Sequence, residues 1–204
     1  MIKVSFLVAL YEQDKLIRKM LDTIPRRDDI EVLLCDDASR NNAFEIVKQY
    51  KKEHPDLNLK IYQNETNRGV SYTRNKLMGL MQGEYYYTVD DDDYLFTDAV
   101  NKVIDMIDGE YDVYYVNIEI NDGTVLVVDD NAPCSPHADY TKFVRSSFAK
   151  GLKNREDKSF DGDWYYHMDL LARHPTITHT GITTYHYNYP RTGSLVDLAS
   201  RGLL

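Results

Sequence analysis

Apolar positions in the first half of the chain fall into short continuous runs separated by stretches of helical spacing. Residues 3–10 are nearly unbroken apolar and β-forming, as expected of a strand buried on both faces. Leu16, Ile17, Met20, Leu21 and Ile24 then recur at helical spacing, and Pro25 closes that helix. Residues 31–35 give a second strand, and a helix over 42–52 turns Phe44, Val47 and Tyr50 inward. Residues 57–62 form a third strand, after which Asn67-Arg68-Gly69 leads into a helix burying Val70, Leu77 and Met81. Residues 85–89 make the fourth strand, and Thr97 is placed to cap a helix over 98–108. Strand and helix alternating with short turns predict an α/β fold. Its centre is a Rossmann-like, doubly wound, mainly parallel sheet, with strand ends collected on one edge.

Beyond residue 108 the pattern changes. Residues 112–120 and 124–128 flank Asn121-Asp122-Gly123, a hairpin signal. A helical stretch near 140–149, a charged loop over 153–162, a helix over 163–173 and a strand-like 176–189 follow. No repeat or linker interrupts residues 1–204, so this half is expected to be a small antiparallel and helical cover completing one domain.

Composition narrows the classes. Hydrophobic residues at 43% and charged residues at 28% are ordinary globular values. No apolar run approaches the roughly 18 residues of a membrane helix, and Met1-Ile2-Lys3-Val4 lacks the form of a signal peptide. A soluble, cytoplasmic protein is the expectation, with any membrane contact made through its acceptor. A net charge of -9 argues against a broad non-specific nucleic-acid footprint. Cys35 and Cys134 fit no zinc spacing and read as reduced thiols; the histidines contain no HxxxH pair.

The chemistry concentrates where the fourth strand ends. Asp90, Asp91, Asp92 and Asp93 follow Val89 directly, at the strand edge where open α/β sheets bind ligands. Adjacent like charges raise one another's pKa unless a cation or hydrogen-bond donors compensate, and a divalent metal would do so. A solvated acidic turn is the plain alternative. An EF-hand loop is disfavoured, because Tyr94 and Leu95 stand at its fifth and sixth positions.

Four segments in order resemble family 2 glycosyltransferases of the GT-A fold, and the resemblance covers residues 4–194. They are Ala9-Leu10-Tyr11-Glu12, of which the tyrosine matches; Cys35-Asp36-Asp37-Ala38-Ser39; Asn67-Arg68-Gly69 through Arg74-Asn75; and Gly83 through Leu95 with its Asp-x-Asp. The resemblance implies a nucleotide-diphosphate sugar donor, a hydroxyl-bearing acceptor and a Mn²⁺ or Mg²⁺ cofactor. The acceptor would be a glycan, a glycoconjugate or a modified nucleic-acid base. Residues 1–97 would form the donor half and 98–204 the acceptor half.

It also implies roles. Asp92 with Asp90 would hold the metal, with Asp93 beside it. Tyr11, Glu12, Asp36, Asp37, Asn67, Arg74, Asp90, Asp91 and Arg191 would surround the donor. Tyr11 would stack near the base, and Asp36 or Asp37 would bond the base or ribose. Asp37 and Ser39 read equally as helix caps, and Arg74 as the partner of a nearby acid. The general base falls on Asp163, by its spacing to the following helix, or on Glu156-Asp157, which keeps the family's literal acidic pair. Late in the chain, Tyr185-His186-Tyr187 and Arg191 through Ser194 resemble the family's closing strand and turn. Arg191 would fold over the diphosphate. His186 would approach the metal or, as strand alternation favours, simply share a face with Asn188. A nucleotidyltransferase and a non-catalytic carbohydrate-binding scaffold are the competing classes.

Overall fold

β1 (Val4–Leu10) lies between β2 (Ile30–Asp36) and β4 (Tyr85–Asp90), with β3 (Leu59–Gln63) outside β2, all four parallel. These coordinates, a computed structural model, describe residues 1–128, 138–157, 162–192 and 201–202; Cys134 and Ser194 lie outside the described residues. Register levels the strand ends, because Leu10 pairs with Asp36 and Ala9 with Asp90. Tyr11, Asp37 and Asp91 therefore emerge side by side.

Helices cover both faces, which is why the strands read as continuous apolar runs. Val4, Phe6, Val8 and Leu10 pack with α1 (Ile17–Thr23), α2 (Ala43–Glu53) and α4 (Thr97–Met106). Leu7, Leu33 and Cys35 face the other way. They join Leu77 of α3 (Val70–Met78), Ala149 of α5 (Ser146–Ala149), and Tyr166 and Leu170 of α6 (Gly162–Leu171).

The second half extends the same sheet with β5 (Tyr94–Leu95), β6 (Val113–Ile120), β7 (Val125–Leu126), β8 (Lys142–Arg145) and β9 (Ile177–Tyr187). Among the described residues the strand order is β3-β2-β1-β4-β8-β6-β9-β5, with β7 on β6. The hairpin forms as expected: Gly123, at φ 83, donates its N–H to the Ile120 carbonyl at 2.9 Å.

Four local expectations are corrected. Residues 140–149 are not one helix: a 3-10 turn (Asp139–Thr141) leads into β8, and only then into the short α5. β8 fills the gap between β4 and β6 antiparallel to both, and Phe143 stacks on Tyr87 at 4.1 Å, so tertiary pairing overrides local helix preference. Thr97 does not cap α4; it is the first helical residue, and its hydroxyl donates to the Thr23 carbonyl at 2.8 Å. Phe44 lies half-buried under the Lys48 ammonium while Ala43 takes the inward position. α3 ends at Met78; Leu77 is buried as expected, but the other inward positions are Ser71 and Thr73 rather than Val70 and Met81. Among the described residues no helix is long and apolar enough to cross a membrane.

Gly83 shows how tightly β4 is seated. A Cβ there would stand 2.5 Å from the Ser5 nitrogen and 2.6 Å from the Tyr85 carbonyl oxygen, both backbone atoms. The Gly83 N–H donates to the Ser5 hydroxyl, which donates to buried Glu31. Gly83→Ala is expected to lower stability by about 1–3 kcal/mol or more through overpacking that backbone cannot relieve. A wild-type urea midpoint in the variant would overturn this.

Candidate active site

The edge is built from three strand ends. Glu12, at φ 57, and Ala38, at φ 60, hold left-handed backbone just after β1 and β2, conformations that a residue with a Cβ adopts at a cost. The Ser39 hydroxyl accepts the Glu12 N–H at 2.8 Å, joining the two turns, and Arg40 pairs with the Glu12 carboxylate at 2.6 Å. Tyr11 stands 37% exposed on this edge.

Asp36 is fully buried. Its Oδ2 accepts from the Ser39 N–H (3.1 Å) and the Gln63 amide (2.9 Å), while Oδ1 has no partner among the described residues. A buried acceptor left unsatisfied costs about 1–3 kcal/mol, so this oxygen is suited to a ligand donor. Asp37 differs. Its oxygens accept from the Asn64 amide (2.7 Å) and from the N–H groups of Arg68 (2.9 Å) and Gly69 (2.7 Å), bracing the loop into α3. Asn67 sits exposed in that loop.

The four acids separate. Asp90 takes the Arg74 guanidinium at 2.6 Å, and Asp91 accepts the Tyr11 backbone N–H at 2.8 Å. Asp92 pairs with Arg191. Asp93, 3% exposed, accepts the Tyr185 hydroxyl at 2.7 Å and the Asn188 N–H at 2.8 Å. Tyr185 closes the group, since its oxygen also accepts the Asp90 N–H at 3.1 Å. Burial and then the neighbouring carboxylates hold Asp91 and Asp93 well above the usual carboxylate range. Asp92 is raised by burial and by Asp90, against the pull of Arg191.

His186 stacks on Tyr94 at 4.1 Å, and burial lowers its pKa. It shares with Asp92, Asp93 and Asn188 a groove of about 300 Å³, and its Nδ1 has no partner.

No group of three or more His, Cys, Asp or Glu side chains forms a ready metal cage among the described residues. The donors fit another arrangement. Asp90 and Asp92 present hard carboxylate oxygens of the kind such an ion takes, each held by one arginine, and Mg²⁺-type ions bind through one or two carboxylates with substrate phosphates completing the shell. Asp93, both oxygens engaged, acts as a brace behind them.

On the facing side, Asp163 lies in the first turn of α6, its carboxylate accepting the Trp164 N–H at 2.9 Å. Its charge acts on Arg74, Asp139 and Lys142, so it belongs to the same electrostatic neighbourhood as Asp90. A Cβ on Gly162 would lie 2.7 Å from the Ser71 hydroxyl oxygen, so α6 starts hard against α3. A glutamate at that position would displace Ser71. Glu156 and Asp157 are exposed, and Glu156 accepts the Asn75 amide at 3.0 Å. Sequence reasoning missed Asp139, Lys142 and the Tyr185 hydroxyl. Lys142 belongs to the segment misread as helix and Asp139 directly precedes it, while Tyr185 was marked only as part of the closing strand.

The family model described as Glycosyl transferase family 2 matches residues 5–128. The poly(ribitol-phosphate) beta-N-acetylglucosaminyltransferase TarS of Staphylococcus aureus is 33% identical over 113 residues, 53% of this chain and 19% of that protein. The crystal structure of S. aureus TarS 1-349 in complex with UDP-GlcNAc superposes with TM-score 0.82 at 24% identity, over 95% of this chain and 60% of that one. The mannosyltransferase PcManGT from Pyrobaculum calidifontis, in complex with GDP-Man and Mn²⁺, gives TM-score 0.73 at 18% identity, over 94% and 58%. The structural likenesses show the GT-A fold. The chain spans less than two thirds of the length of each of these proteins.

Tyr185→Phe deletes the hydroxyl shared by Asp90 and Asp93 and leaves a buried carboxylate one donor short. The expected loss is about 1–3 kcal/mol, read by chemical denaturation. An unchanged midpoint would show that the hydroxyl is not the brace.

Proposed function

The chain belongs to glycosyl transferase family 2, and from that premise we propose that it transfers a sugar from a nucleoside diphosphate sugar to a hydroxyl acceptor, inverting the anomeric carbon. One observation carries the reading: two arginine-held carboxylates, Asp90 and Asp92, share one sheet edge with the Asp36 oxygen that has no partner among the described residues, and the Asp163 charge reaches Arg74, the arginine on Asp90. A UDP-sugar is the first donor to test, because the similar TarS structure holds UDP-GlcNAc.

In this reading residues 1–97 bind the donor and residues 98–204 present the acceptor. Asp36 Oδ1 accepts a donor hydrogen from base or ribose, and exposed Tyr11 lies against the base. Asp92, with Asp90, holds a Mn²⁺ or Mg²⁺ ion, which when bound neutralises charge developing on the departing diphosphate. Arg191 exchanges Asp92 for diphosphate oxygens. Asp163 accepts the acceptor hydroxyl proton as that oxygen attacks the anomeric carbon from the face opposite the leaving group. The new C–O bond forms as the C–O bond to phosphate breaks, and its electron pair leaves with the nucleoside diphosphate. Exposure of Glu156 and Asp157, and the capture of Glu156 by Asn75, favour Asp163 as the base.

Two variants test the assignment. Asp92→Asn is expected to abolish the Mn²⁺-dependent thermal shift with UDP or UDP-GlcNAc; a retained shift would remove Asp92 from the metal site. Asp163→Asn is expected to keep that shift while turnover falls by about a hundred-fold to ten-thousand-fold. If Asp157→Asn behaves this way instead, the base lies in the earlier loop. Release of pyrophosphate from a nucleoside triphosphate would replace the whole reading with nucleotidyl transfer.

A further inference from the structure

Behind the acid run lies a row of buried charges that the proposed reaction does not use. Arg74, its side chain 13% exposed, donates to Asp90 at 2.6 Å and to Asp139 at 3.1 Å. Asp139 sits in the 3-10 turn before β8, and Lys142 is the first residue of β8, 1% exposed. The Lys142 ammonium donates to the Ala138 carbonyl at 2.7 Å, which also accepts the Thr141 hydroxyl at 2.7 Å. That carbonyl belongs to the peptide unit joining Ala138 to Asp139. Lys142 thus pins the turn that aims Asp139 at Arg74.

The signs alternate along the row: Asp90, Arg74, Asp139, Lys142. Burying such charges is tolerable only where each has an opposite neighbour, and removing one member exposes the next to the full desolvation penalty. Among the described residues Arg74 Nε is buried with no acceptor, so there the guanidinium is aimed by its two terminal nitrogens.

We propose that Asp139 and Lys142 are positioning residues of the donor site, holding Arg74 against Asp90 so that Asp90 stays fixed at the sheet edge. The functional consequence rests on the reading of Asp90 as a donor-site residue. Among the described residues, charged groups face Lys142 from the turn (Asp139), from α6 (Asp163) and from α3 (Arg74). Burial brings its pKa down to about 8, against the opposing pull of Asp139 and Asp163. Above that pH Lys142 no longer balances Asp139, which leaves Arg74 as the one cation in the row and loosens the hold of Asp139 and Arg74 on Asp90.

The test combines crystal structures of Asp139→Asn and Lys142→Met with UDP calorimetry in Mn²⁺ and steady-state hydrolysis of UDP-GlcNAc. Arg74 is expected to leave Asp90 in both variants, with UDP affinity and donor KM each worsened about ten-fold and kcat changed less. Wild-type turnover should decline as pH rises through about 8. Lys142→Met should lack that limb, and Lys142→Arg, which stays charged, should restore turnover and move the limb upward. Arg74 remaining on Asp90 with unchanged UDP affinity would overturn the proposal. Should Asp139→Asn fail to fold, the double variant Asp139→Asn/Lys142→Met removes both charges together, and wild-type UDP affinity there would also overturn it. A wild-type protein that neither binds UDP nor hydrolyses UDP-GlcNAc would defeat the reading of function, while the crystal structures would still decide the positioning.

Discussion

Four carboxylates on consecutive residues cannot share one environment, and the structure around them follows from separating them. Each is drawn to a different part of the chain: Asp90 to α3 through Arg74, Asp91 to the end of β1, Asp92 to Arg191, and Asp93 to β9 through Tyr185. Charge-assisted hydrogen bonds of this kind contribute about 1.5–3 kcal/mol each, against desolvation that still holds three of the acids above their usual range. The site is therefore both a fastening point and a store of unfavourable charge, and a bound cation would relieve the latter.

The sheet beneath makes that concentration possible. Parallel strands buried on both faces leave little freedom of register, since a one-residue slip would exchange their two apolar faces. With Leu10 level with Asp36 and Ala9 level with Asp90, the polar ends must emerge together. Asp36 and Asp37, adjacent in sequence, alternate in direction and so divide the work. One keeps an oxygen without a partner, and the other is consumed by the loop into α3.

This half was legible because its signals are local. The strands from residues 3 to 89 carry continuous apolar runs, the acids are consecutive, and Gly83, Gly123 and the strand-end motifs have fixed spacing. What escaped was decided by tertiary pairing. Lys142 through Arg145 is too short to show a period, and it becomes a strand only because β4 and β6 leave a gap for Phe143 and Val144. Once that stretch is taken as helix, Asp139 and Lys142 look like surface charges, and nothing in their spacing points at Arg74. For Arg74 the sequence leaves two readings, a donor contact or the partner of a nearby acid, and both ends of its guanidinium are engaged by protein carboxylates, Asp139 lying too far along the chain to be foreseen. Gly162 is similar: nothing in the sequence shows that Ser71 leaves no room for a side chain there.

The tie between Asp92 and Arg191 joins residues 99 positions apart, and that between Asp93 and Tyr185 joins residues 92 apart. Such distant pairing makes for slow folding, because chain closure precedes its reward. During synthesis the first four strands can assemble as soon as they leave the ribosome, yet the acid run at their edge has no counter-charge from Arg191 and no hydroxyl from Tyr185 until roughly a hundred more residues have followed. At that stage Arg74 already answers Asp90 and the Tyr11 N–H answers Asp91, while Asp92 and Asp93 stand without their partners and the β4 edge waits for β8.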